Sequence, residues 1–365
     1  MDARLKRIVV PLVAVLAGFV LGALIMLAIG TNPIFGYEDM FSGALGNMKA
    51  IGNTIQTMGP LMLTALAFAV TMKAGLFNIG MAGQALAGWV ASFIFALSFP
   101  QLPAVIMFPA MIVIAMAAGA LMGVIPGVLR ALLGTSEVIT TIMLNYVIMY
   151  TANWILASLP KSMLNPTSAQ QTNQIPGSAN FQVSWLTGIT QNSTLNISIF
   201  LAILAVVVMS ILMRRTTLGF EINAVGLNPN ASDYAGISAK RIIIVSMIIS
   251  GILAGLGGLA YGEGLSGAPN FFQQASTLDV GFNGMVVALL AENNPVGILF
   301  SSFLFAILQT GAPAMSFDNI PTQVAQIVAA AIIFFVAIKF VIETLLPKAR
   351  EAKEKAIASE QKEVL

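Results

Sequence analysis
The sequence predicts an all-α polytopic membrane protein with about ten spanning helices and both termini on the cytoplasmic side. Three observations predict it. Of the 365 residues, 58% are hydrophobic and only 9% are charged. A soluble domain carries about 25% charged residues, so these charges are too few to cover a soluble surface of this size. The apolar residues gather in runs of about 20, the length that crosses a hydrocarbon core about 30 Å thick at 1.5 Å per residue. Lys and Arg crowd onto alternate connections between the runs, the bias that orients membrane helices.

The first run covers residues 8–29. Its basic start (Arg4, Lys6, Arg7) would also suit a signal peptide. The apolar stretch is longer than the roughly 7–15 residues of a signal core, however, and no Ala-x-Ala-like exit follows, so it reads as an uncleaved helix. The second run covers 51–72, with Pro60 as a kink. The third covers 79–99, the fourth 102–129, the fifth 138–158, the sixth 195–213 and the seventh 242–262. Residues 280–308 are too long for one helix and would carry Glu292, Asn293, Asn294 and Pro295 at mid-membrane, where a carboxylate costs about 2.5–3.5 kcal/mol. Splitting them gives a short eighth span, 280–291, tilted or partly re-entrant, and a ninth, 296–308. The tenth covers 324–346. With the N-terminus inside, only Lys49 and Lys161 of the 17 basic residues fall outside.

Residues 1–347 thus form one transmembrane domain and 348–365 a charged tail. The tail alternates Lys and Glu at helical spacing, the pattern of a solvated cytoplasmic helix. Residues 159–194 form an extracytoplasmic polar loop with no obvious secondary structure, flanked by Trp154 and Trp185 as interface anchors. Phe271 and Phe272 follow the seventh span and read as further anchors, with a gate at the outer mouth as the alternative. The pairs Gly18/Gly22 and Gly251/Gly255 have the GxxxG spacing that lets helix backbones approach closely in lipid.

Cys and His are both absent, which excludes thiol catalysis, disulfides, His-based zinc sites and His triads. A net charge of +2 gives no reason to expect a nucleic-acid partner. No cofactor or metal is expected. The loop at 214–241 is the unusual connection. Asn228 can cap a short helix with Pro229 at its first position and Gly236 as its stop, and residues 220–225 can form a second helical turn before Gly226. Two capped pieces suit a docking element for a cytoplasmic partner better than a plain connector.

Four stretches resemble one family. KAGLFNIGMAGQ (73–84), TSEVITTIMLNYV (135–147), EINAVGLNPNASDYAGIS (221–238) and GFNGMVVALLAENNPVG (281–297) are similar, in order, to the signatures of bacterial ABC importer permeases for simple sugars and nucleosides. The second is closest to the nucleoside branch. Glu292 stands where a Gly or Ala is common. The resemblance implies a type II-like ABC importer permease in the bacterial cell membrane, the larger of two permease subunits. It also implies three partners: a second permease, a cytoplasmic ATPase and an extracytoplasmic substrate-binding lipoprotein, with a nucleoside as substrate. The chain has no GxxxxGK[ST] phosphate loop, which agrees with ATP hydrolysis residing in a partner.

A polar, uncharged solute needs hydrogen bonds and aromatic stacking along its path. Asn78, Gln84, Asn145, Tyr146 and Asn283 lie in or at the ends of apolar runs, where polar residues usually face the bundle or a water cavity. Each Asn or Gln can instead make an interhelical hydrogen bond worth roughly 0.6–2 kcal/mol. Phe220, Glu221, Asn228, Asp233 and Tyr234 are the candidates for ATPase contact. Glu137 and Asp279 begin helices, where a negative charge is stabilised by about 0.3–1 kcal/mol. Two other classes compete: a ribose- or galactose-type sugar permease, and an ion-coupled secondary transporter. The second would need intramembrane carboxylates or His, whereas the acidic residues here sit at span ends and in loops.

Overall fold
The computed structural model describes residues 3–265, 269–332 and 334–335, with side chains from Leu12 onward. The charged tail and the end of the tenth run lie outside the described residues. The helices are α1 (Ala3–Ala28), α2 (Pro33–Leu45), α3 (Met48–Lys73), α4 (Met81–Ser98), α5 (Ala104–Leu133), α6 (Glu137–Ser158), α7 (Ser184–Ile189), α8 (Ser198–Arg215), α9 (Thr217–Leu227), α10 (Pro229–Tyr234), α11 (Ala239–Gly264), α12 (Asp279–Leu290), α13 (Pro295–Gly311) and α14 (Gln323–Ile332). A small hairpin, β1 (Leu164–Asn165) and β2 (Ser168–Thr172), is the one regular sheet among the described residues. Among the described residues seven helices are long and apolar enough to cross a membrane, and three shorter apolar helices coincide with the first, eighth and tenth predicted runs. The protein is an all-α polytopic membrane protein.

The chain divides into two compact units, residues 1–39 with 315–365, and residues 40–314. In the first unit, the Gly18/Gly22 face of α1 packs on Val328 and Ile332 of α14. The Tyr37 hydroxyl donates to the Phe19 carbonyl, and the two rings meet edge-on at 5.3 Å.

The second unit is built around α11. Gly251 and Gly255 face Gly119 and Ala115 of α5, so that a Cβ on Gly119 would lie 2.8 Å from the Gly255 Cα. Only glycine permits that approach, and in lipid such van der Waals contact between backbones is a principal adhesive force. On the adjoining side of α11, Gly258 faces the Ala85 backbone of α4. Local chemistry sets the helix ends. Asn47 caps α3 by accepting from Ala50 N at 2.8 Å. Gly134 ends α5 in the left-handed conformation, and Arg130 pairs with Glu137 at 3.2 Å across the turn into α6.

Two crossings are interrupted. After Lys73 the chain turns at Gly75 (φ +76) and runs without helix to Met81, where α4 begins. Segment 269–278 is likewise non-helical before α12. The starts of the two helices meet: Gly281 packs against the backbone of Ala82, and Thr64 Oγ1 of α3 donates to Val280 O at 3.1 Å. Thr64 lies about 14 Å from the Lys73 end of α3 at 1.5 Å per residue, so both helices begin well inside the length of α3. The predicted break in 280–308 is present. Glu292 and Asn293 adopt left-handed conformations (φ 51 and 56), Asn294 accepts from Val296 N at 3.1 Å, and Pro295 opens α13.

The polar loop is more ordered than its composition predicts. It carries the hairpin, a 3₁₀ turn (Lys161–Met163) and α7. The hairpin gains a third, irregular strand from after α11: Thr172 N donates to Phe271 O at 2.8 Å and Gln273 N to Gln170 O at 2.8 Å.

Candidate functional site
Two regions concentrate the polar chemistry: the α9–α10 element on one face and a set of buried polar side chains between the helices. In α9, the Thr216 hydroxyl accepts from Gly219 N at 3.1 Å. Asn228 accepts from Ala231 N at 3.0 Å to start α10, Pro229 takes its first position, and Gly236 (φ +85) ends it. The predicted caps are therefore formed. Asp233 Oδ1 accepts from Ala239 N at 2.8 Å and ties α10 to the start of α11. Ile222 and Val225 are buried under α9. Gly226 lies on the last turn of α3, where a Cβ would be 2.9 Å from the carbonyl carbon of Lys73.

The other face of the element is open. Phe220 is 68%, Leu227 89% and Tyr234 95% exposed. A groove of about 550 Å³ runs between the two helices, with Phe220, Glu221, Leu227 and Asn228 among its lining. A contiguous apolar, rimmed surface on a short rigid element is the usual form of a partner contact. All five residues predicted for partner contact, Phe220, Glu221, Asn228, Asp233 and Tyr234, lie on this element.

Of the predicted pathway residues, the structure brings three together and leaves two apart. Asn78 donates to Ser250 Oγ at 2.8 Å and to Gln84 Oε1 at 3.3 Å, and accepts from Gly80 N at 2.8 Å. Asn145 accepts from Gly83 N at 2.8 Å and donates to Ile79 O at 3.0 Å. All three side chains are buried. They hold the non-helical segment before α4 against α6 and α11, where every freed backbone group needs a partner. Tyr146 is 52% exposed and Asn283 is half-buried on α12.

A second polar cluster was missed from sequence. Gln56 of α3 donates to Ser198 Oγ and to Ala260 O, and accepts from Asn196 N at 3.1 Å. Asn196 Nδ2 donates to Glu263 O at 3.0 Å, and Glu263 Oε2 accepts from Phe181 N at 3.1 Å. Glu263 lies in the last turn of α11, a span end as expected, but it is fully buried there. The signal available was the carboxylate in YGEG, directly continuous with an apolar run. Trp89, also missed, is fully buried and ringed edge-on by Tyr261 (5.5 Å), Phe271 (5.1 Å) and Phe272 (5.4 Å). Phe271 is buried too, so it is not an interface anchor. It packs on Trp89 because the hairpin holds its backbone there. Among the described residues no His, Asp or Glu group could hold a metal ion.

The described residues thus form a multi-helix membrane bundle with interrupted helices, a buried amide network and a capped α9–α10 element with an exposed face, and comparison with known proteins makes it a permease, a transport subunit. The chain belongs to the family described as branched-chain amino acid transport system / permease component, which matches residues 50–337. It is 57% identical over 354 residues to the nucleoside ABC transporter permease protein NupB of Lactococcus lactis subsp. cremoris, covering 97% of each chain. It is 38% identical to the guanosine ABC transporter permease protein NupP of Bacillus subtilis, covering 96% of this chain and 99% of the relative. It is 30% identical to the glucose ABC transporter permease protein TsgB13 of Haloferax volcanii, covering 89% and 86%. No solved structure matches the chain.

Proposed function
We propose that this chain is the membrane-spanning permease subunit of an ATP-driven ABC importer that takes up nucleosides. The observation that carries the reading is the 57% identity, over 97% of both chains, to a nucleoside ABC permease. The chain is a transport component, and ATP hydrolysis falls to a cytoplasmic ATPase partner. A second permease completes the pore, and an extracytoplasmic binding lipoprotein delivers solute in the bacterial plasma membrane. Ten spans with both termini inside place α9 and α10 in the cytoplasm, in keeping with the Lys and Arg distribution. Asn78, Gln84 and Asn145 then form the wall of the pathway, and Tyr146 and Asn283 its open surface.

The α9–α10 element acts as the lever. ATP binding closes the ATPase pair, and a rigid element gripped by it passes the motion to α3, α8 and α11 as a rigid-body shift. Phe220, Glu221, Asn228, Asp233 and Tyr234 make the grip. The test is ATP-dependent nucleoside uptake by the importer assembled in vesicles, with Glu221→Lys and Asp233→Lys alongside. Uptake should require ATP and both reversals should uncouple it from hydrolysis. Uptake that follows an ion gradient without ATP, or that survives both reversals, would overturn the reading.

A further inference from the structure
One charged side chain lies where no charge should be unless water reaches it. Asp279 opens α12, next to the Val280 carbonyl that Thr64 of α3 binds and to the Gly281 backbone that packs on Ala82. By the helix rise this is about 14 Å inside the Lys73 end of α3. Yet Asp279 is exposed. Its side chain makes no capping bond, and it forms no hydrogen bond or ion pair among the described residues. Ionisable groups at that depth face a water-filled cavity or a partner group rather than lipid. Phe282 and Asn283 follow at i+3 and i+4, hence on the same helix face about 5–6 Å away. Both reach the surface, Phe282 at 37% exposure. Tyr261 of α11 packs edge-on against Trp89 at 5.5 Å.

We propose that Asp279, Phe282 and Asn283 form a solute station at mid-membrane, with the Asp279 carboxylate accepting hydrogen bonds from the paired hydroxyls of a ribose. An ionised carboxylate only accepts, through two oxygens, so it suits a vicinal diol, which offers two donors a few ångströms apart. The Asn283 amide supplies donor and acceptor one turn away, and the Phe282 ring offers an apolar face to the base. The three side chains span a patch about the size of a nucleoside. In contrast, the buried amides of Asn78 and Asn145 both donate and accept within the protein, and Gln84 Oε1 accepts from Asn78. The identity of the solute rests on the nucleoside reading above, but the water access of the station does not.

The absence of Cys makes the test direct. Asp279→Cys and Asn283→Cys in the assembled importer are treated with a small cationic thiosulfonate, which reacts only with water-exposed thiolate. Leu121→Cys, an exposed apolar position on α5, serves as the lipid-facing control. The two station variants should label at least about tenfold faster than the control. Equal rates overturn the proposal whatever the solute. Asp279→Asn should lower uridine uptake by about tenfold to hundredfold, the weight of a hydrogen bond to a charged group. It should change 2′,3′-dideoxyuridine uptake little, with the amount of assembled complex unchanged. Equal losses for both solutes, or no loss, overturn the ribose contact. If the wild-type importer carries no nucleoside at all, the functional reading falls, while the labelling still decides whether the station is open to water.

Discussion

Gly226→Ala tests the lever where it rests on the membrane helices. A Cβ there would overlap the Lys73 carbonyl oxygen and lie 2.9 Å from its carbonyl carbon and 3.0 Å from that of Ala74. Carbon atoms rest at about 3.5–4.0 Å, so α9 must retreat from α3 by about 0.6 Å or more. The obstacle is backbone at a helix end, so no side chain can swing away. Gly75, held at φ +76, faces Gly226 across the contact and has no side chain to give either. Overpacking of this kind costs about 1–3 kcal/mol, enough to shift a two-state equilibrium by about 5-fold to 150-fold. Because α10 follows directly, the retreat displaces the exposed Leu227 and Tyr234 of the proposed ATPase contact. The assay is nucleoside uptake per ATP hydrolysed in vesicles holding the assembled importer. That ratio should fall about tenfold, with basal hydrolysis kept. Gly188→Ala, which meets open space, should leave it unchanged. A wild-type ratio in Gly226→Ala would show that the α9–α3 contact carries no motion.

Three further outcomes are expected. Glu263→Ala leaves the buried Phe181 N–H unpaired, which costs about 1–3 kcal/mol; the purified complex should melt several degrees lower, and Glu263→Gln, which keeps an acceptor, should lose much less. Phe271→Ala removes a buried ring from Trp89 at a cost of about 3–5 kcal/mol, and a Cys placed at Trp89 on that background should react with water-soluble thiol reagents faster than on the parent. Asn78→Leu strips partners from Ser250, Gln84 and Gly80; a wall residue should lose assembled protein and melting temperature, whereas a residue touching solute would raise KM at unchanged expression.

What could be read from the sequence was what local chemistry decides. Asn228 and Gly236 bound α10 through hydrogen bonds that each span three residues, with Pro229 at its first position, so their spacing alone announced the helix. The break before Pro295 was equally legible, since Pro lacks the N–H a continuing helix needs and Glu292 could not stay in lipid. The hairpin, α2 and the placement of Phe271 were not legible. Phe271 sits on Trp89 because Thr172, 99 residues earlier, pairs with its backbone, and no window along the chain contains both. Glu263 escaped for a related reason. Its burial depends on a backbone N–H supplied by Phe181, 82 residues away, and without that donor a carboxylate near a helix end reads as a surface group.

The same distinction separates wall from path among the polar residues of the spans. A polar side chain in a membrane bundle must be satisfied by protein, water or solute, because lipid offers nothing. Asn78 and Asn145 are buried and both donate and accept within the protein, so they have little hydrogen-bonding capacity to offer a passing molecule; Gln84 is buried with its Oε1 accepting from Asn78. Asp279 and Asn283 reach the surface and have no hydrogen-bond partner among the described residues, which leaves them open to the water or solute contact proposed above. The two interrupted helices account for both sets. Where α4 starts, the freed backbone groups draw in the amides that close the wall. Where α12 starts, Val280 and Gly281 are covered by α3 and α4, while Asp279 and Phe282 on the same turn stay exposed. Each break leaves backbone that the protein itself pairs or packs, Asn145 at the start of α4 and Thr64 at the start of α12, and on the proposed reading the exposed Asp279 is the group left for water or solute.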